Sequence, residues 1–213
     1  MNNFYAFEGS EHVFGVRTEK NELEIKAIKK IEDKIEKTKQ EYIQGKIDFY
    51  PPGAFVAGYD IDNKYVWADY SRTITLKKDL HKQLRDLIDK KIGEGKINEY
   101  GEYGKKTPRG QIGRCAEVHV VDKILKFNEN FYKNNNKIDN IRLSFAVRFK
   151  DKNKIHNRVK ALRMKQESTG MDVANHFFRM LKDTETKLVP YCDNCVSMFE
   201  GTNILKKMFR IYW

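Results

Sequence analysis

Only three cysteines and four prolines occur among 213 residues, and no apolar run approaches the roughly 20 residues a membrane span requires. Three cysteines cannot all pair within one chain. A disulfide framework is therefore excluded, and an odd count that includes one Cys-x-x-Cys points to metal or thiol chemistry. The stretch MNNFYAFEGSEHVFG lacks a basic region followed by an apolar one, the mark of a secretory signal. An aqueous location is expected, either cytoplasmic or reached by signal-less export, with no membrane partner. Acidic residues are in deficit: 30 Asp and Glu against 41 Lys and Arg give a formal charge of +11. That excess favours a polyanionic partner, because each cation set near a phosphate releases condensed counterions. A solvated lysine-rich surface accounts for it equally.

What is present reads as one mixed α/β domain with no repeat or linker. NELEIKAIKKIEDKIEKTKQEYI places Leu23, Ile28, Ile31, Ile35 and Tyr42 on one helical face, and this amphipathic helix is expected to pack against a sheet. Phe55 to Ile61 and Tyr65 to Tyr70 are aromatic and β-branched runs around Asp62-Asn63, the signature of an antiparallel hairpin. Leu80, Leu84, Leu87, Ile88 and Ile92 mark a second helix closed by Gly93. The next segment, to Gly113, holds six of the 13 glycines and reads as a long loop, a place where function concentrates. It leads into RCAEVHVVDKILKF, a helix with Ala116, Val120, Ile124 and Phe127 inward. Ile141 to Phe149 is one strand, Gly170 to Asp183 a helix, and KLVPYCDNCVSMF a short strand, a turn and a helix. The chain closes on a strand in NILKKMFRIYW.

The cysteines sit in GRCAEVHVV and VPYCDNCVSMF. A Cys-x-x-Cys turn such as Cys192 to Cys195 can present two sulfurs to one tetrahedral ion, and Cys115, at the start of another helix, could supply a third across the fold. Three protein ligands leave the fourth position open, which is what separates a catalytic zinc from a structural one. A rival arrangement uses the same residues. Cys115 and His119 are four apart on one helical face, so His119 could close a structural Cys3His site and leave Glu117 as an ordinary surface acid.

CAE at Cys115 to Glu117, with PYCDNC downstream, resembles the zinc-dependent deaminase superfamily, whose motif pairs His- or Cys-x-Glu with Pro-Cys-x-x-Cys. One extra residue, Tyr191, separates proline from cysteine here. Within that superfamily the chain looks most like the YwqJ-like deaminases of bacterial polymorphic toxins, over roughly Phe55 to Phe199. The resemblance implies a three-layer α-β-α cytidine deaminase-like fold around a mixed central sheet. Residues 1–50 would form an N-terminal segment whose helix packs on a deaminase-like domain at 51–213, with an insertion at about 150–188. It also implies a Zn2+ cofactor held by Cys115, Cys192 and Cys195, and Glu117 as general acid/base, moving protons between the activated water, the ring nitrogen and the departing amine. Arg114, beside the first ligand, either draws electron density from the sulfurs or faces solvent.

Base deaminases hold their target between aromatic rings, and polymer substrates add phosphate contacts. The glycine-rich loop offers Tyr100 and Tyr103 for stacking and Lys105, Lys106 and Arg109 for phosphates, unless it is merely solvated. Arg142 and Arg148 alternate with apolar residues on the predicted strand, which would set both cations on one edge of a groove or on a plain sheet surface. His156 and His176 read as packing or surface residues. The expected substrate is cytosine in nucleic acid, whether single-stranded DNA, duplex DNA or RNA; a free nucleoside or nucleotide is the alternative. The toxin resemblance implies an immunity protein that blocks the site.

Overall fold

A computed structural model describes residues 22–48, 50–71, 75–97, 112–132, 137–169, 186–189 and 191–204. The helical period of the first lysine-rich stretch produces α1, Glu22–Ile43. Leu23, Ala27 and Ile31, at four-residue spacing, are buried with Tyr42 and Ile43, and Ile28 and Ile35 are half-buried beside them. Full burial of one such isoleucine stabilises by roughly 1.5–3 kcal/mol. The hairpin forms where Asp62-Asn63 predicted it: β1, Phe55–Asp60, pairs antiparallel with β2, Val66–Tyr70, from Phe55↔Tyr70 to Tyr59↔Val66. The Asp60 carboxylate accepts the Asn63 N–H at 2.7 Å and so ties the turn to the strand it leaves.

Helix α2 spans Lys82–Gly93, with His81 at its N-cap accepting the Gln83 N–H. Leu84 and Ile88 face the core, whereas Leu80 is buried just ahead of the helix. Gly93 is the last helical residue rather than the stop; the left-handed turn is taken by Gly95, at φ 67°. Helix α3, Ala116–Phe131, is buried on nearly every side of its first half, because Val118, Val121 and Leu125 are as enclosed as the expected Ala116, Val120 and Ile124. Phe127 instead stacks on Tyr65 at a ring separation of 3.6 Å.

The expected strand from Ile141 to Phe149 is two strands, β3 at Ile141–Leu143 and β4 at Ala146–Phe149. Both lie against β1, but the register slips by one residue, from Gly58↔Leu143 to Phe55↔Val147. One extra residue therefore sits on the β3–β4 side, a β-bulge at Ser144-Phe145. The Ser144 N–H donates to the Ala57 carbonyl at 2.8 Å, and the Ser144 hydroxyl accepts the Ala57 N–H at 3.0 Å. A short β5, Thr186–Val189, pairs antiparallel with β4. Every described pairing is antiparallel, so the expected mixed sheet is corrected to an antiparallel one over these residues. The closing strand beyond Ile204 and the helix at Gly170 to Asp183 lie outside the described residues, as does His176.

Helices cover both faces of this sheet. Phe55, Ala57 and Tyr59 of β1 share a core with α1, and with Ile155 and Val159 of α4, Lys152–Thr169. The alternate residue Val56 faces α2, α3 and the short helix α5, Asp193–Phe199. The segment expected as an insertion thus supplies part of the core. Its His156 packs near Tyr42, with Nδ1 2.7 Å from the Tyr50 carbonyl oxygen. No helix among the described residues is long and apolar enough to cross a membrane.

Gly58 sets how closely α3 approaches the sheet. A Cβ there would stand 2.7 Å from Leu143 Cδ2 and 2.9 Å from both Val120 Cγ1 and the Arg142 carbonyl. Gly58→Ala is expected to destabilise the protein by about 1–3 kcal/mol, because the neighbours must move apart to admit it. Denaturant unfolding reads this directly, and an unchanged midpoint would show that α3 has slack to retreat.

Candidate metal centre

The local sequence around each cysteine explains where its sulfur goes. Cys115 follows a 3-10 turn, Ile112–Arg114, and is the extended N-cap residue of α3. Cys192 is the extended N-cap residue of α5. Cys195, one turn into α5, is fully buried. The three sulfurs lie within 4.8 Å of one another, and those of Cys115 and Cys192 are 3.8 Å apart. Tetrahedral bonds of about 2.3 Å to zinc put neighbouring sulfurs about 3.8 Å apart, the separation of Cys115 and Cys192, and the third sulfur is within 4.8 Å of both.

In the free thiol state the three sulfurs share protons unequally. Cys192 is held well below the usual thiol range by hydrogen bonds from the Cys115 and Cys195 thiols, helped by the backbone N–H groups of Cys195 and Asn194. Cys195 is pushed up by its bonds with Cys115 and Cys192 and by burial, and Cys115 is raised chiefly by its bond with Cys192. One thiolate thus accepts from two thiols. A metal must displace those two protons, so its affinity rises with pH.

Glu117 lies in the first turn of α3 and is only 5% exposed. It is not one of the clustered ligand atoms. Burial first, and then the neighbouring Cys192 thiolate, push its carboxyl up to about 7, while the Cys195 thiol and the Arg148 charge act in the opposite direction. A buried carboxyl beside the ligands and outside their set is placed for proton transfer near neutral pH. His119 does not join the cluster. Its Nδ1 is 3.3 Å from the Thr75 hydroxyl instead. The Cys3His alternative therefore lacks its fourth ligand in this arrangement. Arg114 is exposed. The stacking and phosphate candidates Tyr100, Tyr103, Lys105, Lys106 and Arg109 lie outside the described residues.

Two further features escaped the sequence reading. Tyr191, the extra residue of PYCDNC, is buried, and its hydroxyl donates to the Ser144 carbonyl at the bulge. Burial pushes its hydroxyl well above the usual phenol range, and the nearby Glu117 carboxylate adds to this. The added residue thus anchors the cysteine turn to the sheet. Tyr191→Phe is expected to cost about 1–2 kcal/mol of stability, since it strips a buried carbonyl of its donor. Zinc content should stay the same; a denaturation midpoint equal to wild type would contradict this anchoring role. The second feature is the bulge itself. An unbroken strand would set Arg142 and Arg148 on one face, but the slip separates them. Arg142 donates to the Asp139 and Ile141 carbonyls, whereas Arg148 follows Ala146 onto the metal-centre face.

No family model, curated protein or solved structure matches the chain.

Proposed function

We propose that the chain is a zinc-dependent hydrolytic deaminase with a three-layer cytidine deaminase-like fold, converting cytosine to uracil in nucleic acid. One observation carries the reading: a buried carboxyl, Glu117, stands beside a three-sulfur cluster without belonging to it. A structural metal site has no use for such a group, while water-driven deamination needs one. Helices on both faces of the sheet and the order Cys-Ala-Glu before Cys-x-x-Cys support it too.

Cys115, Cys192 and Cys195 would hold the zinc, which when bound would supply the Lewis acidity that makes a water nucleophilic near neutral pH. Glu117 would take a proton from the attacking water and deliver it to the ring nitrogen, then carry a second to the exocyclic amine. The carbon–nitrogen bond breaks, ammonia leaves, and the water oxygen remains as the carbonyl of the product base. Cys192 and Cys115 sit at helix N-termini, where backbone N–H groups draw charge from the sulfurs and preserve the acidity that three thiolates would otherwise blunt.

The formal charge of +11 supports a polymeric substrate. A role as a bacterial toxin follows from the motif resemblance, and with it a partner that blocks the site in the producing cell. The test is product analysis. Zinc-loaded protein is incubated with single-stranded DNA, duplex DNA, RNA, cytidine and CMP, and uracil and inosine are measured by mass spectrometry. Uracil from a polymer is the expected result. Product from cytidine or CMP alone would move the substrate to the free nucleotide pool, and no product from any of the five would reject a deaminase of cytosine.

A further inference from the structure

The β-bulge gives the metal-centre face of the sheet a pair of cations. Beyond it Ala146 packs in the core that holds Cys195, so Arg148, two residues on, points to the same side. In the register of β4 with β5, Arg148 stands directly opposite Lys187. Lys187 shares its face with Val189, which packs on that same core, as Cys192 does. Both cations are exposed, and among the described residues neither is paired with a carboxylate. Like charges directly opposite each other weaken an antiparallel pair, by roughly 0.2–1 kcal/mol. An anion between them reverses the sign.

The anion's chemistry follows from the two heads. A guanidinium offers a planar fork of donors and an ammonium a compact point charge, the combination that grips a tetrahedral phosphate. Cross-strand neighbours have Cβ atoms about 4.5–5.5 Å apart, close enough for both heads to reach one phosphate. The metal centre lies on the same face of the sheet, since Ala146 and Val189 pack on the core that also takes in Cys195 and Cys192. Arg142, held by backbone carbonyls on the far side of the bulge, cannot take this role.

We propose that Arg148 and Lys187 form a phosphate clamp at the edge of the metal centre, gripping a phosphate of the nucleotide whose base is presented to Glu117. The choice of a nucleotide rests on the deaminase reading; the affinity for phosphate does not. The test compares wild type, Arg148→Gln/Lys187→Gln and a control, Lys29→Gln/Lys30→Gln. The control lysines line a separate open cavity of about 420 Å³ between α1 and the hairpin. Calorimetry with cytidine and CMP, and anisotropy with a short single-stranded oligonucleotide across a salt series, are run on zinc-loaded protein of verified metal content.

Wild type and the control are expected to prefer CMP over cytidine by about tenfold or more, as a charge-assisted contact implies. The clamp variant should lose that preference while keeping its affinity for cytidine. Its slope of log K against log salt for the oligonucleotide should fall by about 0.7, the counterion release of one phosphate on a single strand. A clamp that serves free nucleotides shows only the first effect, and one that serves strands shows the second; either supports the proposal. Equal binding of CMP and cytidine by wild type, together with an unchanged salt slope in the clamp variant, overturns it. Should the clamp effects appear while no substrate releases ammonia, the phosphate site stands and the deaminase reading falls.

Discussion

Glu117→Gln is expected to lower turnover by about 10²–10⁴ while leaving one zinc per chain, because a positioned proton-transfer group contributes about that much and the side chain lies outside the ligand cluster. The same substitution should stabilise the metal-free protein, and the sign can be worked out. The Glu117 carboxyl is raised from 4.5 to about 7, mainly by burial. Raising a carboxyl favours its protonated form in the folded state, so below about pH 4.5 it costs nothing. Stability is lost as pH climbs from there through 7, and above 7 the full cost is about 3 kcal/mol. Glutamine never ionises and escapes that loss. Urea midpoints of chelated wild type and Glu117→Gln should therefore coincide near pH 4 and separate by pH 8 in favour of the variant. A variant that is less stable at pH 8 would show that Glu117 is held by partners that prefer its charge.

Removing the metal or a ligand should produce the second large effect. Three thiols gathered within 4.8 Å, one of them fully buried, are poised for an ion, and binding to the folded state alone stabilises it by RT ln(1 + [L]/Kd). At free zinc about 1,000 times Kd that amounts to about 4 kcal/mol. Wild type should lose this increment on chelation. Cys195→Ser should show the same melting temperature with zinc and with chelator, because a buried hydroxyl is a poor replacement for thiolate and only two sulfurs remain. Zinc-dependent stabilisation that survives Cys195→Ser would place the ion elsewhere.

Much of this arrangement was legible in the residues themselves. The convergence of Cys115 with Cys192 and Cys195 was an expectation that the motif resemblance sharpened, whereas the period of α1 and the hairpin at Asp62-Asn63 follow from spacing and residue type. The single-residue bulge did not. NIRLSFAVRF alternates plausibly from end to end, and nothing local marks Ser144 as the point where one residue is added, since the bulge is defined by β1 across the ladder. That slip reverses which face Arg148 occupies. Helix α4 also went unassigned, although Ile155, Val159 and Leu162 have helical spacing, because the lysines and arginines around them hide so narrow an apolar stripe. Tyr191 was visible only as a departure from a motif. Its meaning depends on the Ser144 carbonyl, 47 residues earlier in the chain.

The most direct measurement is deamination in heavy-oxygen water, with ammonia and product bases counted together. Wild-type zinc-loaded protein should release one ammonia for each cytosine converted, and each uracil should carry one oxygen from the solvent. The reaction should stop on chelation and fall to near background in Glu117→Gln. Protein that binds one zinc through three sulfurs yet releases no ammonia, or that turns over equally with Gln at position 117, would contradict a catalytic metal centre.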